Sequence, residues 1–385
     1  MAERSSERYA AVLVGLDFGV GGYAEGIEEL GLLTASAGIL ARGLVRGRRD
    51  RPDPAHFAGS GKVDEIKRAL REQGASLAIF NHVLSPVQER NLEKALGCPV
   101  VDRTRLILNI FAQRAKSHEG KLQVELAQLQ HAATRLVRGW THLERQRGGR
   151  GFLGGMGETQ LEVDRRLIAT RVKVLKDKLG KLQRRREVQR RARARGRSFS
   201  ASLVGYTNAG KSTLFNTLTR AGALAEDRLF ATLDTTTRRL YLPEAGNITI
   251  SDTVGFIRDL PHTLVAAFRA TLEETIHADL LLHVVDAAND AREAQIVEVD
   301  KVLAEIGASA VPRLLVWNKI DRNGLRPGVD RNEYDRICRV RLSAKTGVGV
   351  DGLRQALVEA TASRISPASP PKSTDSQKLG QAATT

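Results

Sequence analysis

One short segment constrains the fold of this chain more than any other. Residues Gly205–Ser212 read GYTNAGKS and match the pattern G-x-x-x-x-G-K-[ST]. The residues before them, Ser200–Val204, have the pattern of a strand, and those from Thr213 onward that of a helix. A strand, this loop and a helix, in that order, form a phosphate-binding loop whose backbone N–H groups surround the phosphates of a nucleotide. The segment therefore predicts a mainly parallel α/β domain that binds a nucleotide.

Two later motifs indicate which base is bound. Asn318–Asp321 reads NKID and follows the apolar strand Arg313–Trp317, and Ser343–Lys345 reads SAK after a predicted strand. Ligands of open parallel sheets lie at the carboxyl ends of the strands. The Asp321 carboxylate can accept hydrogen bonds from the ring N1–H and the exocyclic amine of guanine, and adenine lacks that pair of donors. The motifs therefore predict GTP and GDP as ligands rather than ATP.

Two further segments are expected to sense the last phosphate. Phe230–Asp234 reads FATLD and Asp252–Gly255 reads DTVG. Ser212 and Thr232 are expected to bind Mg²⁺, with Thr235, Thr236 and Thr237 as the alternatives to Thr232, and Asp252 is expected to lie just beyond these ligands. The Gly255 amide is expected to contact the γ-phosphate, a contact that disappears on hydrolysis and releases both segments.

The residues expected at the nucleotide site thus come from five loops. Lys211, Thr232 and Gly255 are the expected catalytic residues, since each would contact the transferred phosphate or its metal ion. The full expected set is Gly205, Tyr206, Thr207, Asn208, Ala209, Gly210, Lys211, Ser212, Thr213, Phe230, Ala231, Thr232, Leu233, Asp234, Asp252, Thr253, Val254, Gly255, Asn318, Lys319, Ile320, Asp321, Ser343, Ala344 and Lys345.

The residue after Gly255 is unusual for a nucleotide hydrolase. In Ras-like GTPases a glutamine at this position orients the attacking water, whereas this chain has Phe256, which cannot form such a hydrogen bond. We expect slow hydrolysis by the isolated protein, and a partner or an ion that supplies a contribution worth ~10³–10⁵ in rate. Asn208 could hold a K⁺ ion for this purpose, or could only stabilise the phosphate-binding loop.

The length of 385 residues is too great for one ordinary core. Strand and helix patterns alternate over residues 10–115, and Ser85, Pro86 and Gln88 mark the start of a helix that ends at Leu96. We expect an α/β protein with an N-terminal α/β domain at 1–104, an antiparallel helical hairpin at 105–197, a C-terminal P-loop GTPase domain with a mainly parallel sheet at 198–363, and a disordered tail at 364–385.

The hairpin is predicted from two apolar seams at spacings of three and four residues. The first seam runs from Leu122 to Leu143 and the second from Ile168 to Leu182, and between them Gly148–Gly157 contains six glycines. We expect a flexible tip there that enters a narrow RNA cavity. The tip residues considered for RNA contact are Arg145, Arg147, Arg150, Phe152 and Met156.

The net charge of +16 is unevenly distributed. Lys181–Arg197 contains nine basic residues and one acidic residue, a pattern that favours a polyanionic partner such as nucleic acid or an anionic membrane surface. A solvated helix face is the alternative. The longest apolar runs are strand-sized, well below the ~18–20 residues of a membrane span. With two distant cysteines and no signal-peptide pattern, we expect a cytoplasmic protein, and we expect a monomer.

These motifs together resemble one family. GYTNAGKS, FATLD, DTVGF, NKID and SAK, with the glycine-rich element of Gly154–Arg166, are similar to the HflX family of translation-factor-related GTPases over roughly residues 10–363. The resemblance implies a cytosolic GTPase that binds the large (50S) ribosomal subunit and its rRNA. It implies that the hairpin loop approaches the peptidyl-transferase region and that the GTP-bound form separates or rescues stalled 70S ribosomes.

Three alternatives remain at this point. The chain could act in subunit assembly or hibernation, or in another RNA-linked pathway. Gly59–Lys62 reads GSGK at a predicted helix start and could give the N-terminal domain weak ATP binding, although a plain helix-start turn also explains it. Many relatives are expected to carry a small domain after the GTPase domain, for which residues 364–385 are too short and too polar.

Overall fold

The computed structural model describes residues 9–19, 21–139, 160–195, 199–219, 229–230, 232–258 and 272–365. These residues form two α/β units, each with its own sheet, and two long helices that lie between them in the chain. The predicted tip at Gly148–Gly157, the last seam residues Trp140 and Leu143, and the predicted tail fall outside the described residues, apart from the end of the last helix. The expected α/β fold with a mainly parallel second sheet is confirmed.

The N-terminal unit is a four-stranded, fully parallel sheet in the order β2-β1-β3-β4. Its central strand β1 is buried along almost its whole length, as expected for a parallel strand covered on both faces. The elements are β1 Ala10–Asp17, α1 Tyr23–Ser36, β2 Leu40–Arg48, α2 Ser60–Glu72, β3 Leu77–Phe80, α3 Pro86–Leu96, β4 Val100–Val101 and α4 Arg103–Arg114.

The local signals of this unit operate as the sequence indicated. The Gln88 backbone N–H donates to Ser85 Oγ at 3.2 Å, and the Ser85 N–H donates to Gln88 Oε1 at 2.9 Å, which completes a capping box at the start of α3. The expected domain boundary between residues 104 and 105 falls inside α4. Because Ile107 and Phe111 of α4 are buried against the first unit, we place the end of this unit after Arg114.

The two long helices are α5 His118–Gly139 and α6 Gln160–Arg195. They pack through the expected seams, where the buried side chains of Leu122, Leu126 and Leu175 form a separate apolar cluster. Helix α5 is also anchored to the N-terminal unit, since the Arg135 guanidinium contacts Glu89 at 2.5 Å and Asp102 at 2.7 Å. The Asp102 side chain is fully buried, so α5 is held firmly on that unit.

The second unit contains a seven-stranded sheet in the order β10-β11-β9-β8-β5-β7-β6. Neighbouring strands are parallel except at the two edges, where β10 pairs with β11 and β6 with β7 in antiparallel fashion. The elements are β5 Ser200–Gly205, α7 Lys211–Thr219, β6 Thr236–Leu242, β7 Gly246–Asp252, β8 Leu280–Asp286, α8 Arg292–Ile306, β9 Arg313–Asn318, a 3₁₀ turn Ile320–Arg322, β10 Gly328–Arg331, β11 Ile337–Arg341 and α9 Val350–Ile365.

A hydrophobic cluster joins the two units. It contains Leu30 and Phe111 from the N-terminal unit together with Phe230, Leu233 and Phe256 from the second unit. The Phe111 and Phe230 rings meet edge to face with centroids 4.6 Å apart. The segments that the sequence assigns to phosphate sensing are therefore packed directly against the N-terminal unit.

Candidate nucleotide site

The phosphate-binding loop lies between β5 and α7, where β5 is flanked by β7 and β8. Burial lowers the pKa of the Lys211 ammonium to about 8, although the nearby Asp252 opposes this shift. The Lys211 ammonium donates to the backbone carbonyls of Gly205 at 3.1 Å and Tyr206 at 2.8 Å. A buried cation whose hydrogen bonds to the described residues go to neutral carbonyls is suited to bind the oxygens of a phosphate.

Three side-chain oxygens meet beside this lysine. Ser212 Oγ lies 2.7 Å and Thr232 Oγ1 lies 2.9 Å from Asp252 Oδ2, and the two hydroxyls are 2.8 Å apart. The structure thus brings Thr232 to Ser212, whereas Thr236 and Thr237 lie in β6 and Thr235 lies just before it. Asp252 Oδ1 is buried without a hydrogen-bond partner among the described residues. An all-oxygen group of this kind, with one unused carboxylate oxygen, fits Mg²⁺ and its water ligands.

The two base-recognition loops are tied to the phosphate-binding loop through Asn318. Its Nδ2 donates to the Ala209 carbonyl at 2.9 Å, and its Oδ1 accepts from the Ala344 N–H at 2.8 Å. Gly210 has φ of 92°, and a Cβ there would lie 2.2 Å from Asn318 Nδ2, so this contact requires glycine. Asp321 is exposed, and a hydrogen bond from the Ser343 hydroxyl lowers the pKa of its carboxyl. An ionised carboxylate is the form that accepts from guanine.

The remaining expected residues support these loops. Thr253 Oγ1 donates to the Leu203 carbonyl at 2.6 Å, and Lys319 Nζ pairs with Asp286 at 2.8 Å. Side chains that are buried and serve packing are Val254, Ile320 and Ala344, while Thr213 is half-buried and Lys345 is exposed. Ala231 lies outside the described residues.

Phe256 does not point toward the nucleotide loops as a water-orienting residue would. Its side chain is fully buried (0 % exposed) in the cluster between the two units. Its backbone lies beside Tyr206, since the Phe256 N–H donates to Gly205 O at 3.1 Å and the Thr207 N–H donates to Phe256 O at 2.7 Å. Phenylalanine at this position therefore fastens the segment after Gly255 to the N-terminal unit.

A buried polar network crosses the same interface. The Tyr206 hydroxyl donates to Glu29 Oε1 at 2.5 Å and accepts from the Arg258 N–H at 2.8 Å. Arg103 also binds Glu29, and it donates to the Arg258 carbonyl at 2.9 Å. Burial, followed by the charge of Glu29, raises the pKa of the Tyr206 hydroxyl. Sequence reasoning did not find Glu29, Arg103 and Arg258, because their partners lie in distant segments.

Asp234 has a different role from the one expected. Its carboxylate accepts from the backbone N–H groups of Lys116 at 2.9 Å and Ser117 at 2.8 Å and from the Ser117 hydroxyl at 2.5 Å. Ser117 in turn caps α5 through the Gly120 N–H. The side chains of Phe230 and Leu233 are buried in the inter-unit cluster. Among the described residues of the segment Phe230–Asp234, Thr232 alone directs its side chain toward the oxygens of Ser212 and Asp252.

A cavity of about 310 Å³ opens between α1 and the phosphate-binding loop. Thr207, Asn208 and Arg258 line it on one side and Glu25 and Glu29 on the other. Asn208 is exposed and has φ of 60°, a left-handed conformation that asparagine tolerates. The amide side chain at this position is therefore accessible from the cavity.

The alternative of an anion site at Gly59–Lys62 can be compared with the contacts of its lysine. The Lys62 ammonium donates to the Arg46 carbonyl at 2.7 Å and pairs with Glu65 at 2.6 Å. The lysine is therefore bound to its own unit rather than presented to a ligand. Cys98 and Cys338 are free thiols, and no helix in the described part of the chain is both long and apolar enough to cross a membrane.

A parallel sheet with this loop, the Ser212–Thr232–Asp252 oxygens and the Asn318–Asp321 motif define a P-loop GTPase. Family models described as "GTP-binding GTPase N-terminal", "GTP-binding GTPase Middle Region" and "50S ribosome-binding GTPase" match residues 24–112, 114–193 and 200–319. The chain belongs to the HflX family of GTPases, which confirms the resemblance seen in the motifs. It is accordingly an enzyme that hydrolyses GTP to GDP and phosphate.

Individual relatives agree over most of the chain. GTPase HflX of Escherichia coli is 53% identical over 360 residues, covering 93% of this chain and 84% of that protein. GTPase HflX of Magnetococcus marinus is 52% identical over 327 residues, covering 85% of this chain and 76% of that protein. Among solved structures, a crystal structure of SsGBP with GDP shares 26% identity at a TM-score of 0.50, covering 93% of this chain and 99% of that one.

Proposed function

We propose that this GTPase binds the large ribosomal subunit and its rRNA through the α5–α6 hairpin, and that its GTP-bound form separates or rescues stalled 70S ribosomes. The observation that carries this proposal is the charge on α6. Acidic residues are few on this helix, while the described side chains include nine exposed cations: Arg165, Arg166, Arg171, Lys173, Lys176, Lys178, Lys181, Arg184 and Arg185. Three of these cations, Lys181, Arg184 and Arg185, belong to the 181–197 run.

The charge of α6 points to a phosphate backbone as its partner. Several lysines and arginines on one exposed helix displace counterions from a nucleic acid when they bind, so affinity falls by ~0.7–0.9 log units per phosphate for each log unit of salt. The family model that matches residues 200–319 is described as ribosome-binding, which supports rRNA as that nucleic acid.

The link between nucleotide and hairpin is Asp234. It lies two residues after Thr232, and its carboxylate binds the backbone at the start of α5. Nearer its carboxyl end, α5 is bound to the N-terminal unit through Arg135. A movement of Thr232 would therefore act on an ordered helix and reach the hairpin. Release of this segment after hydrolysis would therefore change the position of the rRNA-binding surface.

Mg²⁺ is the metal ion that fits the site: Ser212 and Thr232 would be its ligands, and Asp252 would hold its water ligands. When bound, it would neutralise charge on the β- and γ-phosphate oxygens. Asn208 would hold a K⁺ ion at the edge of the cavity beside α1. Comparing GTP turnover in KCl and NaCl, with and without large subunits, tests this part: a fast rate in NaCl alone would contradict both K⁺ dependence and ribosomal stimulation.

The decisive experiment is sedimentation of 70S ribosomes with the full-length protein and a non-hydrolysable GTP analogue. We expect free subunits to accumulate with the analogue and not with GDP. The variant Lys173→Glu/Lys176→Glu should lose subunit binding, whereas Lys301→Glu, which reverses an exposed charge on α8, should retain it. Binding without separation of subunits would favour the alternative role in assembly or hibernation. Equal binding by both variants would refute the α6 surface.

A further inference from the structure

The Thr207 hydroxyl of the phosphate-binding loop is buried and has no hydrogen-bond partner among the described residues. In the phosphate-binding loop and the segment Asp252–Gly255, two side-chain oxygens are buried without a hydrogen bond to any described residue, Asp252 Oδ1 and Thr207 Oγ1. The first is explained by a metal ion and its water. Thr207 is only 6% exposed, and an unused hydroxyl in a buried position carries a cost of ~1–3 kcal/mol unless a ligand or water completes it.

The position of Thr207 indicates which ligand this is. A Cβ built on Gly255 would lie 2.8 Å from Thr207 Cγ2 and 2.9 Å from Lys211 Nζ. The Thr207 side chain, through its methyl carbon, and the phosphate-binding lysine therefore lie beside the same point of the segment expected to sense the γ-phosphate. Thr207 also lines the cavity beside α1, with its Oγ1 turned away from solvent.

Thr207 is held rigidly from both sides. Its N–H donates to Phe256 O at 2.7 Å, and the preceding Tyr206 is fixed by Glu29 at 2.5 Å. Both contacts depend on residues outside the loop, one in the apolar cluster and one in the N-terminal unit. A polar group fixed in advance beside the reacting atoms contributes most to catalysis, because it needs no reorganisation when charge develops.

We propose that the Thr207 hydroxyl orients the attacking water in GTP hydrolysis, the task for which Phe256 has no polar atom. The water oxygen forms a bond to the γ-phosphorus, and the bond from that phosphorus to the β–γ bridging oxygen breaks with its electron pair leaving on GDP. The proton that the water loses ends on the released phosphate or in solvent. Thr207 accepts a hydrogen bond from the water and is itself unchanged.

The test is GTP turnover by the full-length protein under saturating GTP and Mg²⁺, without ribosomes. Thr207→Val keeps the shape and removes the hydroxyl, and it should lower kcat on the order of 10²-fold while the dissociation constants of GDP and GTP change less than about twofold. Thr207→Ser should recover most of the lost rate. Thr361→Val, a matched change in α9 remote from the site, should leave the rate unaltered.

The Thr207→Val and Thr207→Ser variants distinguish the contribution of the Thr207 hydroxyl to the rate from that of its methyl group. A Thr207→Val rate equal to that of the unmodified protein overturns the proposal, as does a Thr207→Ser rate as low as that of Thr207→Val. A loss of nucleotide affinity with unchanged kcat also overturns it, because the hydroxyl would then serve binding only. If Thr207→Val does not fold, Thr207→Ala provides the same removal in a smaller side chain. The experiment needs no ribosome, so it is independent of the proposed ribosomal role.

Discussion

Replacing Tyr206 by phenylalanine tests how strongly the N-terminal unit is joined to the nucleotide site. The change removes one hydroxyl and keeps the ring. It deletes the hydrogen bond to Glu29 at 2.5 Å and leaves the Arg258 N–H, which donated to the hydroxyl at 2.8 Å, without that acceptor. Both partners are buried or half-buried, so water replaces the hydroxyl poorly.

The expected loss follows from these two contacts. A hydrogen bond to a charged group contributes ~1.5–3 kcal/mol, and an unpaired N–H costs ~1–3 kcal/mol. We expect Tyr206→Phe to lower the free energy of unfolding by about 3 kcal/mol, which corresponds to a fall in Tm of roughly 4 °C for a chain of 385 residues. Thermal unfolding followed by circular dichroism measures this. The control is Tyr241→Phe, since that side chain is 64% exposed, and it should change the free energy by less than ~0.5 kcal/mol.

A double-mutant cycle with Glu29→Gln isolates the contact itself. The two changes should be non-additive by more than ~1 kcal/mol, because Glu29→Gln removes the negative charge that strengthens the same hydrogen bond that Tyr206→Phe deletes. If Tyr206→Phe shifts the transition no more than Tyr241→Phe does, or if the two changes add, the network does not hold the units together as the distances indicate.

Three further predictions concern the nucleotide site and its link to the hairpin. Lys211 has a pKa of about 8 in the free protein, and bound phosphates raise this pKa, so nucleotide binding takes up a proton when the lysine is neutral. GDP affinity measured by calorimetry should therefore fall about tenfold between pH 7 and pH 9. A flat pH profile would contradict this. Asp234→Asn should destabilise the start of α5 by ~1 kcal/mol, which would appear as about fivefold faster hydrogen exchange at residues 116–120. Unchanged exchange at these residues would refute the proposed link between Asp234 and α5. Gly255→Ala should slow GTP hydrolysis on the order of 10²-fold in a turnover assay, because the added Cβ would lie 2.9 Å from the Thr207 backbone. Near-normal turnover would show that Gly255 and the phosphate-binding loop move apart in the active state.

The sequence predicted those features that depend on neighbouring residues. The phosphate-binding loop, the capping box at Ser85 and the strands before Asn318 and Ser343 are all encoded within about ten residues, and the structure contains each of them. The structure also brings Ser212, Thr232 and Asp252 together, because the parallel strands β5 and β7 end at one edge of the sheet and β6, antiparallel to β7, begins at that edge just after Thr232.

Contacts between the two units could not be predicted in the same way. Tyr206 and Glu29 are separated by 177 positions, and Asp234 and Ser117 by 117. No local pattern encodes such pairs, since they depend on how two finished units dock. From the sequence we therefore predicted that Asp234 contacts the nucleotide, and we could say of Phe256 only that it replaces a glutamine. The packing of the two units shows that Asp234 binds Ser117, the residue that caps α5, and that Phe256 is buried in the apolar cluster between the units.

Because Phe256 is buried between the two units, movement of the segment after Gly255 depends on how tightly the two units pack together. Any rearrangement that draws this ring out of the cluster exposes a benzyl group to water, at ~1.5–3 kcal/mol, and it loosens the neighbouring Leu233 and Phe230. The segment expected to sense the γ-phosphate is thus coupled to the packing of the N-terminal unit against it. A partner that separates the two units would increase the mobility of this segment without touching the nucleotide.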